Sequence, residues 1–152
     1  MRITIAGAGR FRRGPERALY ETFAERLSWP IQLREFEDGA KLGAQERRSK
    51  EAERLISAVP DGAILIALDE TGTALSSRAF ATRIGRWRDD GIADLAFIIG
   101  GAEGLDRALI KRASLVLSLG PMTWPHLMVR AMLAEQLYRA EAILRGHPYH
   151  RG

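Results

Sequence analysis

The segment HPYHRG, residues 147–152, concentrates side chains that can take part in chemistry. It contains His147 and His150, two of the three histidines in the sequence, together with Tyr149 and Arg151. Histidine titrates near neutral pH and serves as a proton acceptor or a metal ligand, and arginine binds negative charge. The segment is therefore a candidate for either acid–base chemistry or ligand binding.

Metal and triad sites are disfavoured by the spacing of these residues. His147 and His150 are three positions apart, but no third ligand stands at a convincing spacing, so no metal site is expected. No serine occupies a nucleophile-elbow context, which argues against a Ser-His-Asp triad. The sequence has no cysteine, which removes disulfides, thiolate catalysis and cysteine-ligated zinc and fits a reducing cytoplasm.

The first of three glycine-containing segments is GAGRFRRGP, residues 7–15. A strand that runs into Gly7-x-Gly9 is how a dinucleotide-binding fingerprint begins, but the third glycine of that fingerprint is replaced by Arg12. NAD or FAD binding is therefore only weakly indicated. The cluster of Arg10, Arg12 and Arg13 is compatible with phosphate contacts, or simply with a glycine turn that carries solvated arginines.

The second segment, IIGGAEG at 98–104, follows an apolar run and precedes a helical pattern. Gly100, Gly101 and Gly104 permit positive φ and a close approach of backbone amides to a ligand. A phosphate loop is disfavoured because no Gly-Lys-Ser/Thr follows and Glu103 stands inside the turn. A nucleoside pocket and a plain tight turn both remain open.

The third segment, LSLGPMTWPH at 117–126, contains two prolines, a glycine and Trp124. Proline restricts the backbone, so such a loop presents carbonyls and amides in fixed positions that can recognise the edge of an adenine. A rigid turn in which Trp124 fills the core is the simpler interpretation. His126 at the start of the last helix fits a capping or packing role.

The elements that position these segments alternate along the chain. Apolar runs predict strands, and apolar residues at i, i+3 and i+4 predict helices. Strands are expected at 2–6, 31–36, 63–68, 95–99 and 115–120. Helices are expected after Pro15, around Leu55 and Ile56, from a cap at Ser76 or Ser77 to Gly91, and at 105–112 and 125–145. The charged stretch 37–50 is predicted to be a flexible connection and 69–73 a loop.

This alternation predicts an α/β fold, with a mostly parallel sheet and helices on both faces. Ligands of such sheets bind at the carboxyl ends of the strands. In the last helix, Glu135 and Arg139 are four residues apart, as are Glu141 and Arg145, so each couple can form an ion pair. The loops expected at the ligand-binding edge are 7–14, 69–73, 100–104 and 120–125.

Composition sets the outer limits. The 152 residues, 46% hydrophobic and 28% charged, fit a single folded domain spanning 1–152. No apolar stretch approaches the roughly 20 residues of a membrane span, and the first residues do not have the pattern of a signal peptide, so a cytoplasmic location is expected. A net charge of +4 leans mildly toward polyanionic partners.

Five segments, taken in order, resemble the ribosomal RNA large subunit methyltransferase H family of the SPOUT class. They are LDETG, FIIGGAEGL, LSLGPMTWPH, VRAMLAEQLYRAEAI and HPYHRG. The resemblance extends over the whole chain in length and element order, and it is specific from about Leu65 onward. Departures are small: Ala102 stands where proline is common, and Gly120-Pro121-Met122 occupies a stretch that varies among members.

The resemblance implies a fold and an activity. The fold would be a SPOUT domain with a C-terminal trefoil knot, the knotted region spanning about 65–152, and the protein would be a homodimer. The activity would be methylation at N3 of a pseudouridine in helix 69 of 23S rRNA, with S-adenosylmethionine as methyl donor. The partner would be the assembled large subunit or the 70S ribosome.

The resemblance also assigns residues. Cofactor contacts would come from Leu68, Gly101, Gly120, Pro121, Met122, Thr123, Trp124 and Pro125. We hypothesise that His150 assists proton removal, Arg151 stabilises the resulting anion or binds phosphate, and Tyr149 stacks on or orients the base. Further RNA contacts are expected from Arg10, Arg12, Arg13, His126 and His147.

Two other functions stay open at the level of sequence, besides the weak dinucleotide interpretation. One is a SPOUT methyltransferase with a different rRNA or tRNA target. The other is a module that binds an adenosyl ligand or the ribosome without turnover, although the intact HPYHR segment argues against it.

Overall fold

The computed structural model describes residues 1–37 and 41–151. Five parallel strands form one sheet in the order β2-β1-β4-β3-β5. The strands are β1 (Arg2–Ala8), β2 (Ile31–Phe36), β3 (Ile64–Ala74), β4 (Asp94–Ile99) and β5 (Leu115–Ser118). The helices are α1 (Pro15–Arg26), α2 (Ala44–Ser57), α3 (Ser77–Asp89), α4 (Arg107–Arg112) and α5 (His126–Arg145).

Helices cover both faces of the sheet, as the alternation predicted. On one face α1, α3 and α5 pack against alternate strand residues such as Ile5 and Phe97. On the other face, Leu55 of α2 and Leu109 of α4 pack against the intervening residues, such as Ile98. A sheet that is buried on both faces needs nearly continuous apolar strands, and this explains the apolar runs in the sequence.

Two elements differ most from their predicted bounds, while others such as β1 and β5 differ by two residues. Helix α2 begins at Ala44, inside the stretch predicted as a flexible connection, of which 38–40 lie outside the described residues. Its first two turns are made of strong helix formers with few apolar residues, so the hydrophobic pattern did not indicate a helix there. Strand β3 continues through the predicted loop 69–73 to Ala74, with a shift in pairing to β5 between Leu68 and Thr73.

The predicted helix ends and ion pairs are present. Ser76 caps α3 by accepting a hydrogen bond from the amide of Ala79 at 3.1 Å. Gly91 follows α3 with φ of 83°, a conformation in which glycine has no steric penalty. Both i, i+4 ion pairs of α5 form. No helix within the described residues is long and apolar enough to cross a membrane.

Candidate functional site

A pocket of about 580 Å³ opens at the carboxyl ends of β4 and β5 and beside the middle of β3, at Leu68–Glu70. The three strands are neighbours in the sheet, so the loops that follow β4 and β5 meet beside the middle of β3. The floor is apolar, with Ile99 and Leu117 near the ends of β4 and β5 and Leu68 where the pairing of β3 to β4 ends. Of the predicted cofactor residues, all except Pro121 line it: Leu68, Gly101, Gly120, Met122, Thr123, Trp124 and Pro125.

The wall formed by IIGGAEG is a tight backbone turn. The amide of Gly104 donates to the carbonyl of Gly101 at 3.0 Å, and Gly104 has φ of 75°. A side chain at Gly100 would meet the backbone of Gly104, because a Cβ there would lie 2.6 Å from its carbonyl carbon. Glu103 lies 3.6 Å from the guanidinium of Arg47 on α2. The glycines thus bring bare backbone to the pocket.

The opposite wall is LSLGPMTWPH. Gly120 has φ of 111°, and the hydroxyl of Ser118 both accepts from its amide at 3.1 Å and donates to its carbonyl at 3.0 Å. The indole of Trp124 donates to the carbonyl of Leu119 at 3.3 Å and is 38% exposed, so it is no core filler. Thr123 donates to a carboxylate oxygen of Glu70 at 3.1 Å. The loop is held by its own hydrogen bonds and exposes apolar surface at the pocket.

His126 lines the same pocket, as the first residue of α5. It is half-buried, and neither ring nitrogen has a hydrogen-bond partner among the described residues. Burial, and then the positive charge of Arg130, lower the pKa of His126 below its usual 6.5. At neutral pH the pocket therefore has a neutral imidazole in its wall, which can both donate and accept a hydrogen bond.

The C-terminal segment HPYHRG, residues 147–152, is called the tail from here on, and its described residues fold back against α5. The hydroxyl of Tyr149 donates to Glu135 at 3.0 Å, and its ring packs edge-on against Tyr138 with centroids 4.7 Å apart. The guanidinium of Arg139 lies 4.9 Å from the centre of the Tyr149 ring and 3.2 Å from Nδ1 of His150. Burial, and then the bond to Glu135, raise the pKa of Tyr149, so the phenol keeps its proton.

The reversal of the chain into the tail starts at Gly146. Gly146 has φ of 69°, and its amide and that of His147 donate to carbonyls of the last turn of α5. Nδ1 of His147 accepts from the amide of Tyr149 at 3.2 Å, which leaves Nε2 as the protonated nitrogen of the neutral ring. Arg151 is exposed. His147 therefore shapes the turn that places Tyr149 and His150.

The structure does not bring all predicted site residues together within one chain. None of the tail residues that the structure describes, 147–151, lines the pocket. Val129 lines the pocket and Arg139 contacts the tail, and the ten residues of helix between them span about 15 Å. Sequence reasoning also missed the partners of the tail, because Glu135 and Arg139 were noted only as an ion pair. Their position on one face of α5 together with Tyr138 was the available signal.

The first glycine segment is placed elsewhere. Arg10, Arg12 and Arg13 are exposed, and Arg12 lies 3.6 Å from Glu37. None of the three lines the pocket. Within the described residues, no three His, Asp or Glu side chains form a group that could hold a metal ion.

Comparison with known proteins agrees with this geometry. The family described as "Predicted SPOUT methyltransferase" matches residues 1–150. A ribosomal RNA large subunit methyltransferase H from Rhodospirillum centenum is 55% identical over 151 residues, covering 99% of both chains. The enzyme of the same name from Paramagnetospirillum magneticum is 50% identical, again over 99% of both chains.

Among solved structures, a probable methylase family protein from Haemophilus influenzae superposes with a TM-score of 0.59. The match covers 99% of this chain and 70% of that one at 10% sequence identity, and so it supports the fold alone. The fold and the family match define a SPOUT methyltransferase. At this level of identity to its relatives, the chain belongs to the ribosomal RNA large subunit methyltransferase H family.

Proposed function

We propose that the protein transfers a methyl group from S-adenosylmethionine to N3 of a pseudouridine in helix 69 of 23S rRNA, within an assembled large subunit or 70S ribosome. The observation that carries the proposal is the pocket at the ends of β4 and β5 and beside Leu68–Glu70 of β3, built from the segments that resemble the family. Relatives that share about half of the residues are named as methyltransferases of large-subunit ribosomal RNA.

The lining of the pocket fits an adenosyl sulfonium ligand. Its apolar floor suits a purine ring, and the bare backbone around Gly101 and Gly120 offers amides and carbonyls for the edge of the base. Carboxylates of Asp69, Glu70 and Glu103 lie around the same pocket and complement hydroxyl and cationic groups. When bound, S-adenosylmethionine supplies an activated methyl group, and the protein provides orientation.

The tail would act on the base. N3–H of a pseudouridine is a weakly acidic imide, so the nitrogen becomes a better nucleophile when its proton is removed. His150 is the side chain proposed for that role: its Nδ1 accepts from Arg139 at 3.2 Å in this structure, so the imidazole would take the N3 proton at Nδ1 once bound substrate displaces that contact. Arg151 stabilises the negative charge that develops or binds phosphate. Tyr149 orients the base through its ring, while Glu135 and Arg139 hold Tyr149 and His150 in place.

A homodimer would complete the site. Since the described tail residues 147–151 do not line the pocket of their own chain, we propose that the tail lies beside the pocket of the partner. The C-terminal trefoil knot belongs to the same proposal, as does the single domain spanning 1–152. Arg10, Arg12 and Arg13 of the first glycine segment would contact rRNA phosphates. His126 and His147 would lie on the side of the active site that faces the RNA substrate.

The test is methyl transfer from labelled S-adenosylmethionine to 70S ribosomes, free 23S rRNA and tRNA, with the modified nucleotide identified by mass spectrometry. Ribosomes from a strain that lacks this methylation are the substrate. We expect transfer to ribosomes, with one methyl on a pseudouridine of helix 69. Methylation of tRNA or of another rRNA site instead would refute the assigned target while keeping the methyltransferase.

A chain that stops after Gly146 separates the two halves of the site. It keeps every residue of the pocket lining and loses all of the tail. We expect it to bind S-adenosylmethionine with nearly unchanged affinity by calorimetry and to lose transfer by at least about 100-fold, the effect of removing general acid–base groups. A truncated protein that still methylates ribosomes would contradict the role of the tail.

A further inference from the structure

Arg130 is an arginine in the core of the protein. It follows the pocket-lining Val129 on α5, and the exposed fraction of Arg130 is 0%. Placing a guanidinium in the interior costs free energy that a well-packed apolar side chain would not. A residue of this kind calls for an explanation from its contacts.

The hydrogen bond, the ion pair and the ring contact of the Arg130 guanidinium lead to the first glycine segment or to the residue that supports it. Nη2 donates to the carbonyl of Ala8 at 2.6 Å, and Nη1 lies 3.5 Å from a carboxylate oxygen of Glu35. The guanidinium carbon lies 5.1 Å from the centre of the Phe11 ring. Glu35 in turn accepts from the amide of Phe11 at 3.1 Å.

Phe11 is the buried member of an otherwise exposed basic loop. Its side chain is 5% exposed and packs on Tyr20, with ring centroids 5.5 Å apart. Arg10 and Arg12 on either side of it point to solvent. The conformation of the loop therefore depends on where Phe11 is held, and Arg130 and Glu35 hold it.

The Gly7-x-Gly9 spacing belongs to the same arrangement. A Cβ on Gly7 would lie 2.7 Å from the guanidinium of Arg130, and one on Gly9 would lie 3.1 Å from Nε2 of His126. Two strand residues span about 6.6 Å and four helix residues about 6 Å, so the two glycines match His126 and Arg130 across the interface. The glycines thus accommodate α5, and no nucleotide is needed to explain them.

From this geometry we propose that Arg130 is a positioning residue for RNA. From inside the protein it fixes the loop that presents Arg10, Arg12 and Arg13 and ties that loop to the wall of the cofactor pocket. The proposal rests on the proposed function in that the bound polyanion is ribosomal RNA. A purely structural Arg130 would instead affect stability and leave ribosome binding unchanged.

The salt dependence of ribosome binding distinguishes these roles. The logarithm of the binding constant falls as the logarithm of the salt concentration rises, and each lost phosphate contact makes this slope shallower by a little under one. We expect the magnitude of the slope to decrease by about 2 to 3 for the triple variant Arg10→Gln, Arg12→Gln, Arg13→Gln, and by about 1 to 2 for Arg130→Met. Combining all four changes should give the slope of the triple variant, because Arg130 acts through these arginines.

Controls keep the result decisive. Arg86→Met makes the same chemical change on the exposed face of α3 and should leave the slope unchanged. If Arg130→Met does not fold, Phe11→Leu removes the ring contact from the loop side, and its slope decides the question. The inference is overturned by a wild-type slope in Arg130→Met. If Arg130→Met does not fold, a wild-type slope in Phe11→Leu overturns it. It is also overturned by a wild-type slope in the triple variant, or by a further decrease when Arg130→Met is added to it.

The proposed function is tested separately on the same ribosomes. Wild-type protein that binds them with the expected slopes but transfers no methyl group would refute the methylation proposal and leave the role of Arg130 intact. Wild-type protein that does not bind ribosomes at all would overturn both.

Discussion

His126 and Arg130 are the residues at which burial changes chemistry most clearly. The two side chains lie one helical turn apart, one in the pocket wall and one in the core. The positive charge of Arg130 disfavours a second positive charge on His126, in addition to the effect of burial. The pocket therefore keeps a neutral imidazole at a position that would otherwise titrate near physiological pH.

This coupling predicts a measurable change in the pKa of His126. In the wild-type protein we expect NMR titration of the imidazole to give a value below 6.5, and in Arg130→Met a higher value, because a neighbouring positive charge is removed. Arg86→Met serves as the control and should leave the wild-type value unchanged. An unchanged or lower pKa in Arg130→Met would contradict the coupling.

The same shift has a consequence for stability. The folded-state pKa of His126 lies below that of the unfolded chain, so the unfolded state binds more protons between the two values. The free energy of unfolding contributed by His126 therefore rises with pH across that interval, is complete above about 6.5, and is lost as the pH falls through it. The variant His126→Gln should lack this contribution.

At the scale of elements, the turn between β4 and α4 depends on glycine. Gly100→Ala would bring a methyl group against the backbone of Gly104, which cannot move away without opening the turn. We expect a loss of about 1–3 kcal/mol in the free energy of unfolding, as in other overpacked sites, together with weaker binding of S-adenosylmethionine. Denaturant unfolding and calorimetric titration measure the two effects.

Gly43→Ala is the matched control. Nothing lies within 4 Å of a Cβ at Gly43, although the residue caps α2, so a loss of less than about 1 kcal/mol is expected. Cofactor affinity should be unchanged, since Gly43 does not line the pocket. Equal losses in the two variants would show that the turn at Gly100 has no special role.

The elements also show how far sequence reasoning reaches. Apolar runs predicted four strands and the two-faced sheet, because burial on both faces leaves a nearly continuous apolar pattern, and alternating apolar and polar residues predicted the edge strand β2. The continuation of β3 past Leu68 was missed, since its outer half is polar and exposed and Gly72 reads as a loop residue. That glycine packs against β5, where a Cβ would lie 2.5 Å from the carbonyl oxygen of Val116.

Within the site, the strand-end loops could be predicted and the core charge could not. Parallel topology places the segments after β4 and β5 beside β3, and they line one pocket with Leu68–Glu70 of that strand. Arg130 was missed because an arginine in an amphipathic helix is normally read as a solvent-facing residue. Its burial depends on Gly7 and Glu35, which are more than 90 positions away in sequence.

For the whole molecule, the main consequence is that one chain holds the two halves of the proposed active site apart. The pocket lies at the first turn of α5 and the tail folds on its second half. Exposed Met122, Trp124 and Met128 lie in and near the loop that lines the pocket, and in the proposed dimer they would offer apolar surface to the partner chain. A second copy would supply the missing half to each site.

Complementation between two inactive variants tests this central claim most directly. One chain stops after Gly146 and keeps the pocket. The other is Thr123→Trp, in which an indole would fill the pocket from an exposed position while the tail is intact. Each alone should fail to methylate 70S ribosomes, and calorimetry should show that only the first binds S-adenosylmethionine.

The two chains, carrying different affinity tags, are then produced together and the mixed pair is purified. A dimer with one chain of each variant contains one intact pocket facing one intact tail, so we predict about half of the wild-type activity per dimer. Failure to recover a mixed pair, or a mixed pair as inactive as its components, would contradict the account.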